Sequence, residues 1–432
     1  MQGSGMHPTL DAVRSGTWTG KELSLSAGLE EFPREILDLS QLEVLDLSGN
    51  RLKSVPSDFS RLRNLKILFL SGNEFEDVPE VLGECPSLEM VGFKSNRISH
   101  LPAEALPQAL RWLILTDNRL RDLPVRLGAC TRLQKLMIAG NCLESLPDSL
   151  CQLARLELLR ISANGLKRLP GWLWELPRLS WLAVSGNPAC PAPSKGIGTD
   201  VPWDTLVLPE VLGEGASGLL SRARHHQDDV AVKVFKGRVT SDGWPHDEMT
   251  ACLGAGRHPN LVGVRARVEG HPEGREALLL DLIPSGYSNL GAPPSRESCT
   301  RDVFASGHVL SASSVRRMAA GIGSLLSHLH EREIAHGDLY AHNILVDRDG
   351  HALLGDFGAA SFLSGLAPRE QDGFRRIEAR ASGCLLDDLL GLASDEPGLA
   401  DLSRLRDRCL SETPSDRPSS ADLGAIAAAN VT

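Results

Sequence analysis

Seven leucines, Leu42, Leu65, Leu88, Leu110, Leu133, Leu156 and Leu179, recur at intervals of 23, 23, 22, 23, 23 and 23 residues. Each opens the pattern L-x-x-L-x-L-x-x-N-x-L with small variations, usually followed by x-x-L-P-x-x-L. The asparagines are Asn50, Asn73, Asn96, Asn118, Asn141, Asn164 and Asn187, and the prolines are Pro56, Pro79, Pro102, Pro124, Pro147 and Pro170. One such unit cannot bury its own leucines. Stacked units share a continuous core and place one short strand each on a common face. An asparagine at each bend can satisfy loop backbone that would otherwise be orphaned. A degenerate unit around Leu23, Leu25, Leu29, Phe32 and Pro33 lacks the asparagine and is expected to begin the stack.

This pattern resembles leucine-rich repeats. In such a solenoid the residues flanking the second leucine of each unit belong to the strand face. Here they run Val44, Ile67, Met90, Trp112, Lys135, Leu158, Trp181 before it, and Asp46, Phe69, Gly92, Ile114, Met137, Arg160, Ala183 after it. Contiguous apolar side chains on an exposed face mark an interface, so the expectation is a concave protein-docking surface, in cis or in trans. The plainer expectation is that the stripe packs on itself or under the second half of the chain.

At 432 residues the chain has room for two or three domains. A net charge of −10 argues against nucleic acid or an anionic membrane as partner. Nine cysteines lie without C-x-x-C pairs, so neither a zinc site nor a disulfide framework is expected. Cys85, Cys130, Cys151 and Cys409 read as reduced core thiols, which points to the cytoplasm. Residues 1–20 lack a basic start with an apolar run, and no stretch approaches eighteen apolar residues, so neither a signal peptide nor a membrane span is expected. From Asn187 to Gly198 three prolines and two glycines interrupt all periodicity. The expected organisation is an extension over 1–22, a solenoid over 23–190, a linker over 191–203 and a second domain over 204–432.

The second half carries chemistry. Gly213-Glu214-Gly215-Ala216-Ser217-Gly218 follows a strand-like Leu206-Val207-Leu208, and glycines at that spacing let backbone N–H groups approach phosphates. Val230-Ala231-Val232-Lys233 alternates as a strand and ends on a lysine. Asp247-Glu248-Met249 opens a helical stretch fifteen residues further on, and either acid suits a helix N-terminus through the dipole alone. Leu278 to Ile283 reads as a buried strand, and Val315 to His330 has helical spacing. Then come His336-Gly337-Asp338-Leu339-Tyr340-Ala341-His342-Asn343 and Asp356-Phe357-Gly358.

In this order and spacing the segments resemble the protein kinase family. The resemblance implies a two-lobed α+β domain behind the α/β solenoid, and phosphoryl transfer from Mg-ATP. It assigns Gly213, Gly215 and Gly218 to the phosphates and Lys233 to the α- and β-phosphates. Glu248 would pair with that lysine, with Asp247 as substitute. Leu280, Asp281 and Ile283 would lie around adenine, and Asn343 and Asp356 would hold Mg²⁺. Asp338 would orient the acceptor hydroxyl, and His336 would brace the loop. Arg417, in Pro414-Ser415-Asp416-Arg417-Pro418-Ser419, would be a structural ion-pair partner.

The chain also departs from the family pattern. Gly337 stands where an arginine usually precedes the catalytic aspartate, and Tyr340 stands where Ser/Thr-directed members carry lysine. Ala367-Pro368-Arg369-Glu370 only echoes the usual A-P-E. The stretch from Ile377 reads as the start of the next large helix, with Glu378 in place of the customary aspartate. The functional expectation is a cytoplasmic protein kinase, Ser/Thr-directed rather than Tyr-directed, that docks a protein on its repeats. A small-molecule phosphotransferase of the same superfold and a non-catalytic scaffold stand as rivals.

Overall fold

The computed structural model describes residues 10–193, 200–215, 218–237, 239–240, 242–394, 397–419 and 422. After a short helix α1 (Leu10–Arg14) the chain forms eight three-residue strands. These are β1 (Glu22–Ser24), β2 (Val44–Asp46), β3 (Ile67–Phe69), β4 (Met90–Gly92), β5 (Trp112–Ile114), β6 (Lys135–Met137), β7 (Leu158–Arg160) and β8 (Trp181–Ala183). They make one sheet in chain order, and neighbours pair in parallel with consensus leucines in register, as in Leu45↔Leu68. Short 3-10 turns close each unit. Several begin directly after a proline, such as Glu80–Glu84 after Pro79 and Val125–Ala129 after Pro124. Proline suits that junction because its fixed φ ends the extended run without a missed N–H.

The asparagines form the expected ladder. Asn118 accepts from Ile98 N at 2.9 Å and donates to Phe93 O and Leu115 O at 2.9 and 3.1 Å. Successive turns touch so closely that a Cβ on Gly83 would lie 1.8 Å from Glu104 O. The strand-face positions are not the exposed stripe that the sequence suggested. Val44, Ile67 and Met90 are 7%, 6% and 2% exposed and cluster with Phe69 and Trp112. Parallel strands about 4.8 Å apart place same-register side chains in van der Waals contact, which covers them. Lys135 joins this packing, its ammonium 4.4 Å from the Trp112 ring centroid. All nine cysteines are free, and Cys151 is exposed rather than packed in the core, as is Cys142.

Two compact units divide the chain, and the division cuts the repeat array after the sixth strand. One comprises Met1–Leu156 with Asn164–Trp172; the other comprises Glu157–Ala163 with Leu173–Thr432. Strands β7 and β8 therefore belong to the second unit. That unit continues with β9 (Asp200–Pro202), β10 (Leu206–Glu214), β11 (Gly218–His225), β12 (Asp228–Phe235), helix α2 (Pro245–Ala255), β13 (Val264–Glu269) and β14 (Ala277–Asp281). Their sheet order is β10-β11-β12-β14-β13-β9. Asp200–Pro202, within the expected linker, is its edge strand, parallel to β13, while Ser194–Thr199 lies outside the described residues.

Then follow β15 (Ser288–Asn289), α3 (Ala312–Glu331), β16 (Ile334–Ala335), β17 (Ile344–Val346), β18 (Ala352–Leu354), β19 (Ser361–Phe362), α4 (Pro368–Gly391) and α5 (Ala400–Cys409). Ser311 caps α3 by accepting from Ser314 N, and Val315, Met318, Ile322, Leu325 and Leu329 form its buried stripe. Helix α4 begins nine residues before Ile377, so the A-P-E echo is its first turn. Glu370 caps that turn by accepting from Ala367 N at 2.9 Å. The expected ion pair of Arg417 is not formed among the described residues. Its guanidinium donates to the carbonyls of Ser411, Arg376 and Pro177, and burial lowers its pKa to about 10.

Candidate active site

Val230, Val232 and Val234 of β12 point into the sheet's core, and the two-residue alternation therefore turns Lys233 to the opposite face. Glu248, in the first turn of α2 and 2% exposed, meets it at 2.5 Å. Asp356 lies 3.9 Å from the same ammonium. Burial works against the Lys233 charge, but Glu248 and Asp356 outweigh it and raise the pKa above its ordinary value. Burial lifts Glu248 to about 7 against the pull of Lys233. Asp247 is excluded from the pair. It is 5% exposed, burial raises it to about 6, and its Oδ2 has no hydrogen-bond partner among the described residues.

Gly213, Gly215 and Gly218 lie at the β10–β11 turn, where Gly215 N donates to Gly218 O at 2.9 Å. Ala216 and Ser217 of the motif lie outside the described residues. Gly218 has a steric reason to lack a side chain, since a Cβ would fall 2.6 Å from Val234 O. Gly213 has open space around it. At the end of β14, Leu280 is half-buried and pairs with Ala231, while Asp281 binds Arg265 at 2.5 Å through its carboxylate. Ile283, two residues past the strand, is also half-buried.

The loop after β16 is anchored from below. Glu378 of α4, 2% exposed, accepts from His336 N and Gly337 N at 2.7 and 2.9 Å and meets the His330 ring nitrogen. These donors outweigh its burial, so its pKa lies below the ordinary value. His336 is fully buried, with its Nε2 3.0 Å from Gly355 O and its ring edge-on to Phe357. This is a bracing geometry. Asn343 Nδ2 donates to Asp338 O and Oδ2 at 3.0 and 2.8 Å, which holds the two ends of the loop together.

The set fits magnesium in a particular way. Mg²⁺ is held by one or two protein oxygens with phosphate and water completing the octahedron. Asn343 spends its amide nitrogen on Asp338, which leaves the amide oxygen as the ligand atom, and Asp356 keeps a half-exposed carboxylate. Among the described residues no group of three or more His, Cys, Asp or Glu could hold a metal without such help.

Three residues at the catalytic loop, Arg160, Asp242 and Trp181, are not among the expected site residues. Arg160 of β7 bonds Asp338 Oδ1 and, at 2.5 Å, Asp242 Oδ1. Trp181 of β8 stacks on Tyr340 with centroids 4.2 Å apart and planes 10° apart. Burial raises the Asp338 carboxyl against the pull of Arg160. Burial also opposes the charge on Arg160, but Asp338 and Asp242 more than restore it. The sequence signal was weak: Arg160 and Trp181 stand on a strand face that also carries Lys135, Asp46, Trp112 and Phe69.

A paired lysine and glutamate behind a glycine-rich hairpin, with Asp338, Asn343 and Asp356 converging below, define a protein kinase domain. In this chain that domain follows a leucine-rich-repeat array. The family descriptions agree: "Protein kinase domain" matches residues 206–373, and "Leucine rich repeat" descriptions match 40–82, 108–166 and 131–188. A probable leucine-rich repeat receptor-like protein kinase of Arabidopsis thaliana is 29% identical over 39% of this chain and 25% of its own length. The probable inactive leucine-rich repeat receptor kinase XIAO of Oryza sativa subsp. japonica is 34% identical over 34% of this chain and 13% of its own. The serine/threonine-protein kinase Sgk1-B of Xenopus laevis is 32% identical over 34% of this chain and 32% of its own. The chain thus spans a third or less of each of these relatives. A solved leucine-rich repeat protein of Leptospira interrogans aligns with a TM-score of 0.34 and 27% identity, over 39% of this chain and 49% of that one.

Proposed function

We propose that the chain is an ATP- and Mg²⁺-dependent protein kinase, Ser/Thr-directed rather than Tyr-directed, whose repeats engage protein. The observation that carries this reading is the Lys233–Glu248 pair at 2.5 Å with Asp356 beside it, because an assembled cation–carboxylate pair is what positions nucleotide phosphates. Lys233 would hold the α- and β-phosphates, and Gly213, Gly215 and Gly218 would offer backbone N–H groups to them. Leu280, Asp281 and Ile283 would border the adenine. Bound Mg²⁺, held by Asn343 and Asp356, would neutralise charge on the transferring phosphoryl group. Asp338 would orient the acceptor hydroxyl and take its proton.

The Ser/Thr preference draws support from relatives named as serine/threonine kinases. No helix among the described residues is long and apolar enough to cross a membrane, and the free cysteines suit a reducing compartment, so a cytoplasmic setting is part of the reading. The domain organisation follows the motifs, with repeats over 23–190 and kinase over 204–432. Titration with a fluorescent ATP analogue, with and without Mg²⁺, should show magnesium-dependent binding that Lys233→Met abolishes. Labelled ATP should pass phosphate to a protein acceptor and not to small amino-alcohols. Absence of nucleotide binding would leave the scaffold reading, and transfer to the small acceptors alone would favour the phosphotransferase.

A further inference from the structure

Strands β7 and β8 lie in the same compact unit as the catalytic loop, and their side chains land on it. Arg160, 1% exposed, binds Asp338 Oδ1 with one terminal nitrogen and donates to Gly337 O at 3.2 Å with the other. Its Nε holds Asp242 at 2.5 Å. The second Asp338 oxygen is already taken by Asn343 Nδ2 at 2.8 Å. Trp181, also 1% exposed, adds a bond from Nε1 to Leu339 O at 3.0 Å.

The chain beyond β8 covers the segment that follows Asp356-Phe357-Gly358. Ser185 Oγ donates to Ala360 O, Val184 N to Ser361 Oγ at 3.2 Å, and Cys190 Sγ to Phe362 O at 2.9 Å. The catalytic loop is shaped to receive this cover. Gly337 has φ +73°, and a Cβ there would come 2.5 Å from Ala359 O and 2.6 Å from Leu182 O of β8. The glycine in place of the usual arginine is therefore required by its left-handed backbone and by Ala359 O as well as by the packed repeat.

We propose that β7 and β8 close the acceptor side of the site: Arg160 occupies the position where a substrate hydroxyl would meet Asp338, and phosphorylation of protein requires its withdrawal. This rests on the kinase reading above. One contrast argues for closure over ordinary packing. The nucleotide side is assembled, with Lys233, Glu248 and Asp356 in contact, while the acceptor side has both carboxylate oxygens engaged. Each carboxylate oxygen keeps a second lone pair, so what the general base loses is room and basicity: a charged guanidinium stands on Oδ1, within hydrogen-bond reach, where an acceptor hydroxyl would dock. A guanidinium also stays charged at any working pH, so pH alone cannot open the site. A tethered occupant acts at high effective concentration, which a weakly bound substrate does not match. Opening thus falls to a partner that competes for the β7–β8 face, or to a displacement of that face.

The test uses the full chain with Arg160→Met, which keeps the volume of the side chain, and Trp181→Phe, which removes the bond to Leu339 while keeping a ring. Melting curves check the fold, and Trp181→Phe carries the same test if Arg160→Met does not fold. Hydrogen exchange over residues 336–343 and 359–362 reads the contact, a fluorescent ATP analogue reads the nucleotide side, and labelled-ATP transfer to myelin basic protein reads the chemistry. The expected result is exchange and transfer each up by about tenfold or more, with nucleotide affinity unchanged within about twofold. Wild-type protein that transfers as fast as the variants overturns closure and leaves the kinase reading standing. Transfer that falls in folded variants also overturns it and makes Arg160 a support of the catalytic loop. Exchange that rises with nucleotide bound, but with no transfer by any form, keeps the closed contact and removes the kinase reading.

Discussion

Asn118 and Asn187 do the same work in two turns of one array. Each donates to its own turn and to the preceding one, Asn118 to Leu115 O and Phe93 O at 3.1 and 2.9 Å, Asn187 to Val184 O and Ile161 O at 2.8 and 2.9 Å. Their neighbours on the strand face behave quite differently. In the early turns Val44, Ile67 and Met90 pack on one another, whereas in the last two Arg160 and Trp181 reach the catalytic loop. A repeat motif specifies the scaffold, because stacking geometry is common to all turns. What a turn touches is decided by the few positions that the motif leaves free.

The largest effect expected on this contrast comes from the chemistry. Asp356→Ala should lower transfer by about 10³-fold, or roughly 4 kcal/mol, because a positioned charge is lost at the phosphates. No substitution among Val44, Ile67 or Met90 should do so. Equal losses in labelled-ATP assays from both groups would dissolve the distinction between the early turns and the site.

Asn118→Ala should destabilise by about 3 kcal/mol, since it strands several buried backbone groups at once. Urea unfolding should show this with ATP affinity unchanged. Asn187→Ala should match it in stability and also raise hydrogen exchange over residues 359–362, which the early substitution leaves alone. Matching exchange patterns would show that the last turns have no special tie to that segment.

Asp247→Asn sharpens the comparison within the second unit. The folded pKa of about 6 lies above the ordinary value of 3.8, so the native state holds more protons than the unfolded chain between those values. Stability is thus lost as pH rises through that window. The asparagine variant should match wild type near pH 3 and gain about 3 kcal/mol by pH 8, each pKa unit being worth about 1.4 kcal/mol. A variant that instead loses stability at pH 8 would mean that the Asp247 carboxylate has a partner when charged.

The smallest effect concerns control. Between Asp356 and Glu378 there is no Thr or Tyr, and the hydroxyls are Ser361 and Ser364. Ser361 is fully buried and accepts from Val184 N. Ser361→Ala with Ser364→Ala should leave activity within about twofold, the effect of a single neutral hydrogen bond. A large loss rescued by a phosphate mimic at Ser364 would make this segment a switch.

The repeat period, the glycine-rich hairpin, Lys233, and the spacing from Asp338 to Asn343 and Asp356 were legible in the chain, because each depends on local geometry that a short motif encodes. Between Glu248 and its substitute Asp247 the motif left the lysine's partner open, and the structure pairs Lys233 with Glu248. The early strand face was left open between a docking surface and packing on itself, and the structure shows the packing, because burial there comes from neighbours one whole turn away. The start of α4 was not legible, because a weak A-P-E echo hid a helix cap. The deepest gap is at Arg160: the motif marks it as a free position on a strand, and the carboxylates near it in sequence, such as Glu157 and Glu175, are not its partners. Its partner lies 178 residues on. Sequence determines which side chains can pair, but only the packed chain brings a particular arginine to a particular aspartate, because long-range contacts follow from topology and not from local pattern.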